Sequence, residues 1–190
     1  MEKYKLTDDT IKVDGRTLHR IVALTSFSDV KEGDIGGYVE NESNLSQEGN
    51  AWVYGSARVY GNARVSGSAR VYGSAWVSGN AWVSGNAQVY DSARVSGNAR
   101  VYYSARVYGD AQVYGNAQVY GDAQVESVRD IFTCINAISS GRPITYTRSN
   151  QIWVTGCFSG TGKELIAKAY ADSEEKGKWF EKLVKCVENL

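Results

Sequence analysis

Residues 51–125 read AWVYGS ARVYGN ARVSGS ARVYGS AWVSGN AWVSGN AQVYDS ARVSGN ARVYYS ARVYGD AQVYGN AQVYGD AQV, one six-residue phrase repeated without interruption. Thirteen valines stand six apart from Val53 to Val125, and each has an alanine two positions before it, from Ala51 to Ala123. One small and one branched apolar side chain thus recur in strict register, the pattern of a solenoid whose units bury their faces only by stacking. Gly at the fifth position followed by Asn, Ser or Asp suits corners that need positive φ or side-chain-to-backbone hydrogen bonds. Asp91 and Tyr103 replace the corner glycine, and Tyr103 is the less expected because of its bulk.

The phrase is similar to the hexapeptide signature of left-handed parallel β-helices, in which three hexapeptides complete a triangular coil. That resemblance supplies the handedness and implies four complete coils between Val53 and Val125, stacked at about 4.8 Å. The fold class expected is therefore mainly β: a left-handed parallel β-helix over residues 51–126, an N-terminal β cap over 1–50 and a small C-terminal α+β unit over 127–190.

The flanks support that division. Tyr4-Lys5-Leu6 and Thr10-Ile11-Lys12-Val13 alternate, Asp14-Gly15 is a type I′ turn signal, and Thr17 to Leu24 can pair back as a hairpin. Such a cap protects the open end of a solenoid. Residues 28–50 drift into register, with Val39 and Leu45 six apart and a two-residue slip before Val53. Beyond Val125, Ile144 to Thr147 and Ile152 to Phe158 read as short strands around Pro143, the one proline. Lys163 to Ala171 and Trp179 to Leu190 carry apolar residues at helical spacing.

Side chains flanking each inward valine point outward. Positions eighteen apart then form columns: Arg58-Trp76-Arg94 on one face, Arg64-Trp82-Arg100 on the next, and on the third Trp52, Arg70, Gln88 and Arg106 beside Tyr54, Tyr72, Tyr90 and Tyr108. A Trp between two arginines is placed for cation–π contacts worth roughly 0.5–1 kcal/mol each when exposed. Such ladders stabilise neighbouring coils. Aromatic faces framed by arginines also suit an anionic planar ligand, such as a nucleotide, or an acidic partner protein.

The 21 acidic and 21 basic residues cancel, but unevenly. Residues 1–48 hold ten acids and six bases, residues 49–125 three acids and six arginines, and residues 126–190 eight acids and nine bases. The arginines spread over three faces, so no duplex nucleic acid is expected. Cys134, Cys157 and Cys186 are odd in number and lack metal-ligand spacing, which points to reduced thiols and no metal site. With no secretory segment or membrane-length apolar run, a cytoplasmic address, without membrane contact, is expected.

Chemistry is hard to find. Many hexapeptide-repeat proteins are acyltransferases that use coenzyme A and a histidine base, but the single histidine, His19, lies in the cap strand and no insertion interrupts the repeats. No catalytic residues and no cofactor are therefore assigned. The stretch from Ser159 to Lys168 looks like the phosphate loop of AAA-type ATPases. However, Cys157 stands where its first Gly belongs, Glu164 replaces the metal-binding hydroxyl, and 27 residues remain after Lys163. Simple anion binding at Gly160, Gly162 and Lys163 is the alternative to a plain helix start.

Lys3-Tyr4-Lys5-Leu6, Val13-Asp14-Gly15, Ser28-Asp29-Val30-Lys31, Gly36-Gly37 and Asn44-Leu45-Ser46-Gln47-Glu48-Gly49, leading into the repeats, resemble bacterial and bacteriophage hexapeptide-repeat proteins labelled loosely as transferases or polymer-forming proteins. The resemblance covers residues 3 to 125 and implies a homotrimer. The expectation is a non-catalytic binding protein, a phage or prophage accessory or counter-defence factor that sequesters a nucleotide-like anion or engages a host protein. A coenzyme A-dependent acyltransferase and an architectural scaffold are the alternatives.

Overall fold

The computed structural model describes residues 2–138 and 141–189. Each phrase folds into one two-residue strand that ends on its valine, from Trp52–Val53 to Gln124–Val125. Strands eighteen residues apart pair in parallel, as in Arg58↔Trp76, Trp76↔Arg94 and Arg94↔Gln112, so three hexapeptides make a coil and three sheets form its faces. The rungs are held by main-chain bonds between coils, such as Arg58 N–H to the Ala75 carbonyl at 2.9 Å and Tyr60 N–H to Val77 at 3.0 Å. The repeat alanines and valines are buried and fill the lumen as one continuous core. The hexapeptide expectation is thus borne out as a β-solenoid.

The coil begins earlier than the uninterrupted phrase. Strand β3 (Ile35–Val39) pairs Val39 with Val59, and Leu45 bridges to Val65, both twenty residues apart, whereas Val53 pairs with Val71 at eighteen. The two-residue slip therefore falls between Leu45 and Val53, and residues 38–53 form a first coil ahead of the four expected. Asn44, fully buried, stabilises the slip by donating its amide to the carbonyls of Gly61 and Ala63 at 3.0 and 2.9 Å.

Strands β1 (Tyr4–Val13) and β2 (Arg16–Ala23) form the expected antiparallel hairpin. Its turn places Asp14 and Gly15 at φ 48° and 77°, the left-handed region that Asp-Gly suits. Because β2 pairs with β3, the hairpin extends one face of the coil rather than plugging its end alone. Leu18 and Val13 pack with Tyr38 and Tyr60, with Ile11 and Trp76 at the margin. Tyr4 and Phe27 meet Trp52 edge-on at centroid distances of 6.1 and 5.5 Å and bury it completely.

The far end is covered by a four-stranded antiparallel sheet of Ile131–Ile135, Pro143–Thr147, Ile152–Thr155 and Phe158–Gly160. The first of these strands was not apparent in the sequence. The run from Ile152 to Phe158 is two strands, because Gly156 turns the chain at φ 58°. The sheet meets the last coil through side chains: Gln118 N–H donates to Thr145 Oγ1 at 3.0 Å, Gln124 N–H to Ser149 Oγ at 2.7 Å, and the Asn150 amide to the Tyr120 carbonyl at 3.3 Å. Edge N–H groups that a further coil would have taken are thereby satisfied.

Helices α1 (Gly162–Asp172) and α2 (Glu174–Glu188) pack Leu165, Ala169, Phe180, Val184 and Val187 onto Ile144, Tyr146 and Trp153. The second starts five residues before Trp179, where the apolar spacing begins, because Ser173 caps it by accepting from Lys176 N–H. Leu190, the expected last residue of that helix, lies outside the described residues. No helix among the described residues is long and apolar enough to cross a membrane.

Candidate binding faces of the coil

The two Arg-Trp-Arg columns have the same register but different environments. On the first face the guanidinium carbons of Arg58 and Arg94 each lie 5.0 Å from the Trp76 ring centroid, on neighbouring rungs. Tyr60 meets the same indole edge-on at 6.4 Å and is itself covered by the hairpin cluster. The column continues downward. Tyr38 pairs with Arg58, and Arg20 on β2 places its guanidinium 4.3 Å from the Tyr38 ring. The order Arg20, Tyr38, Arg58, Trp76, Arg94 alternates cation and ring along five rungs, so its aromatic surfaces are turned on its own cations.

On the second face no guanidinium among the described residues lies over Trp82. Its rung still pairs with Arg64 below and Arg100 above, but the indole is 47% exposed and both arginines are exposed. The cause is a change at the fourth position of the phrase. Ser66 occupies the place that Tyr60 holds on the first face, and its hydroxyl accepts the Trp82 indole N–H at 3.2 Å. With no tyrosine wall and no hairpin over it, the ring stays open. Higher on this face Tyr102, Tyr103 and Tyr120 form a cluster with centroids 4.8 to 5.7 Å apart. Tyr103 enters it from a corner at φ 61°, and burial foremost pushes the Tyr102 hydroxyl up.

The third face is the tyrosine ladder. Tyr72, Tyr90 and Tyr108 stack with near-parallel rings at 4.7 and 5.1 Å, and Tyr54 meets Tyr72 edge-on at 6.5 Å. Arg70 pairs with Asp29 at 2.8 Å, and the Tyr54 hydroxyl donates to the same carboxylate at 3.2 Å. Burial pushes the Tyr54 hydroxyl up to about 12. Arg106 and Gln88 flank the stack, with the Tyr72 hydroxyl donating to Gln88 Oε1 at 3.2 Å. Trp52, expected on this face, lies beneath the cap.

The glycine-rich helix start is a capping box. Thr161 N–H and hydroxyl both donate to Glu164 Oε2 at 2.8 Å, and Glu164 N–H donates back to Thr161 Oγ1 at 3.3 Å. The hydrogen bonds from Thr161 hold the exposed Glu164 carboxylate below the usual range. A carboxylate of the chain thus occupies the helix N-terminus beside Gly160, Gly162 and Lys163, and Gly162 is buried against Val184 and Glu188. An external anion would have to displace that carboxylate.

His19 lies in the hairpin, its Nδ1–H donating to the Thr7 carbonyl at 3.0 Å. Among the described residues no group of three or more His, Cys, Asp or Glu side chains is placed to hold a metal. Sequence spacing missed Arg20, Tyr38 and Tyr60 as members of the first column. Arg20 sits on an antiparallel strand, and Tyr38 is twenty rather than eighteen residues before Arg58.

Residues 57–73, 63–79, 93–109 and 111–127 match the YdcK β-solenoid repeat model. Over 62 residues the chain is 37% identical to the uncharacterized acetyltransferase YdcK of Escherichia coli (strain K12), a stretch covering 28% of this chain and 19% of that protein. The match spans less than a fifth of that relative's length. The repeat body is therefore a hexapeptide-repeat β-solenoid, similar in its repeats to YdcK.

Proposed function

We propose that this protein is a binding protein whose ligand face is the open column of Arg64, Trp82 and Arg100. One observation carries the reading: of two columns with the same residues, the first is closed by its own arginines and Tyr60, and the second presents a bare indole between two exposed guanidiniums. An indole stacks on a planar ring, and flanking guanidiniums pair with its anionic group in a fork that lysine cannot reproduce. An anionic planar molecule of nucleotide type fits that arrangement. A phage setting, suggested by the resemblance of the C-terminal unit to the tails of phage-encoded hexapeptide-repeat proteins, would make it a sequestering factor for such a signal.

Calorimetric titration of the full chain with purine nucleotides, alongside native mass spectrometry of freshly isolated protein, tests the proposal. Stacking of one base on an aromatic residue is worth about 1–3 kcal/mol, so Trp82→Ser should weaken binding by roughly tenfold or more. Arg64→Ala and Arg100→Ala should weaken it too, while Trp76→Ser, in the closed column, leaves affinity unchanged. Equal affinity in wild type and Trp82→Ser would sink the idea. Loss of a trimer in Trp82→Ser instead would identify this face as a subunit interface.

Acyl transfer is the second reading, supported by the similarity to YdcK, which is named an uncharacterized acetyltransferase. It predicts saturable binding of acetyl-coenzyme A and loss of turnover in His19→Ala. Turnover unaffected by that substitution would remove the one histidine base the chain offers.

A further inference from the structure

The C-terminal unit contains a cleft that the coil faces do not involve. It measures about 590 Å³ and lies between the Phe158–Gly160 hairpin and the two helices. Its lining includes Phe158, Leu165 and Phe180, an apolar floor continuous with the core of the unit. Two lysines, Lys168 on α1 and Lys176 on α2, stand at its margin together with Arg142. One acid, Asp172, lines it as well and pairs with Lys176 at 3.4 Å, so the two lysines outnumber the one carboxylate of the lining.

A second observation is independent of charge. Asn136 lines the same cleft, is 6% exposed, and its buried Oδ1 has no hydrogen-bond partner among the described residues. Its main chain is engaged, N–H to the Arg142 carbonyl at 2.8 Å and carbonyl from Gly141 N–H at 3.0 Å, while the side-chain acceptor is left over. A buried acceptor without a donor costs about 1–3 kcal/mol, and a native structure keeps such a group where something supplies the missing donor. The volume falls within the range of small-molecule sites, which combine an apolar lining with a few polar anchors.

We propose that this cleft binds a small amphipathic organic anion. Its flat apolar body rests on Phe158, Leu165 and Phe180, its carboxylate, phosphate or sulfonate meets Lys168 and Lys176, and one N–H or O–H donates to Asn136 Oδ1. The site is separate from the Trp82 face, and its test does not depend on that reading.

Anilinonaphthalene sulfonate has these three features, an aromatic body, a sulfonate and one N–H, and serves as the probe. Cys157 is exposed at the mouth of the cleft and reports occupancy, whereas Cys186, exposed on α2 and outside the cleft, is an internal control. In the full chain the probe should slow alkylation of Cys157 several-fold, read by peptide mass spectrometry, and leave Cys186 unchanged. Lys168→Glu, at an exposed position, should weaken probe affinity about tenfold and abolish the protection. Asn136→Ala, checked for native circular dichroism, should weaken it too. Equal alkylation of Cys157 with and without saturating probe, or undiminished protection in Lys168→Glu, would overturn the proposal.

Discussion

The rings of Tyr72 and Tyr90 lie 4.7 Å apart and 1° from parallel, so the spacing of the coils sets the stacking distance of their side chains. In most proteins aromatic pairs adjust their rings to each other; here the main-chain rungs place them in register before the side chains meet.

Tyr90 has a stacked neighbour on both sides, Tyr72 and Tyr108. At about 0.5–1.5 kcal/mol per aromatic pair beyond area burial, Tyr90→Ala should lower unfolding free energy by roughly 1–3 kcal/mol. Tyr108→Ala, at the end of the stack, should cost about half as much. Chemical denaturation with a Tyr72/Tyr90 double-mutant cycle measures the difference, and a coupling near zero would mean that the ladder follows from the coil and adds nothing to it.

Corner glycines are not equivalent. Gly97 and Gly115 both have φ in the left-handed region, 69° and 66°. A Cβ on Gly97 would sit 2.8 Å from the Gly115 nitrogen in the next coil, whereas one on Gly115 meets nothing within 4 Å. Gly115→Ala should cost about 1 kcal/mol, the left-handed penalty for a residue with Cβ. Gly97→Ala should cost distinctly more, since it also pushes two coils apart. Equal melting temperatures for the two variants would contradict the close approach.

Stability should have a characteristic alkaline profile. Lys3 is buried under the cap, where Nζ donates to the Ala51 carbonyl at 3.0 Å, and burial lowers its pKa from 10.5 to about 8. Between pH 8 and 10 the folded chain releases this proton while the unfolded chain keeps it, so stability rises with pH, by about 1–3 kcal/mol at most. Tyr4 and Tyr54 act in the opposite sense. Burial raises both, so above pH 10 the unfolded chain ionises first and stability falls. Lys3→Met should flatten the rise and leave the fall, as read from denaturation midpoints across pH 7–11.

The C-terminal cover is held by few groups. Thr145→Val and Ser149→Ala each remove the acceptor of one edge N–H, that of Gln118 and of Gln124. Hydrogen exchange at those two amides should accelerate markedly in the respective variant, while the amide of Arg58, bonded to Ala75 deep in the coil, is unaffected. Unchanged exchange at Gln118 and Gln124 would show that the sheet does not seal the coil.

Much of this architecture is dictated locally. A valine every sixth residue with an alanine two before it can bury both only by coiling, and corners with Gly and Asn, Ser or Asp accept the backbone that such a coil requires. Periodicity therefore placed every rung from Trp52 to Gln124 and the columns they make. Three things depended on tertiary contact. The sequence-distant hairpin buries Trp52 and joins Arg20 and Tyr38 to the first column, because pairing of β2 with β3 brings a non-repeating segment alongside the repeats. The sheet over the last coil is built from strands with no period, and its bonds to Gln118 and Gln124 come from single hydroxyls that no spacing reveals. Which tryptophan stays open, finally, depends on what stands beside it in space: Tyr60 and the hairpin wall in Trp76, and Ser66 leaves Trp82 bare.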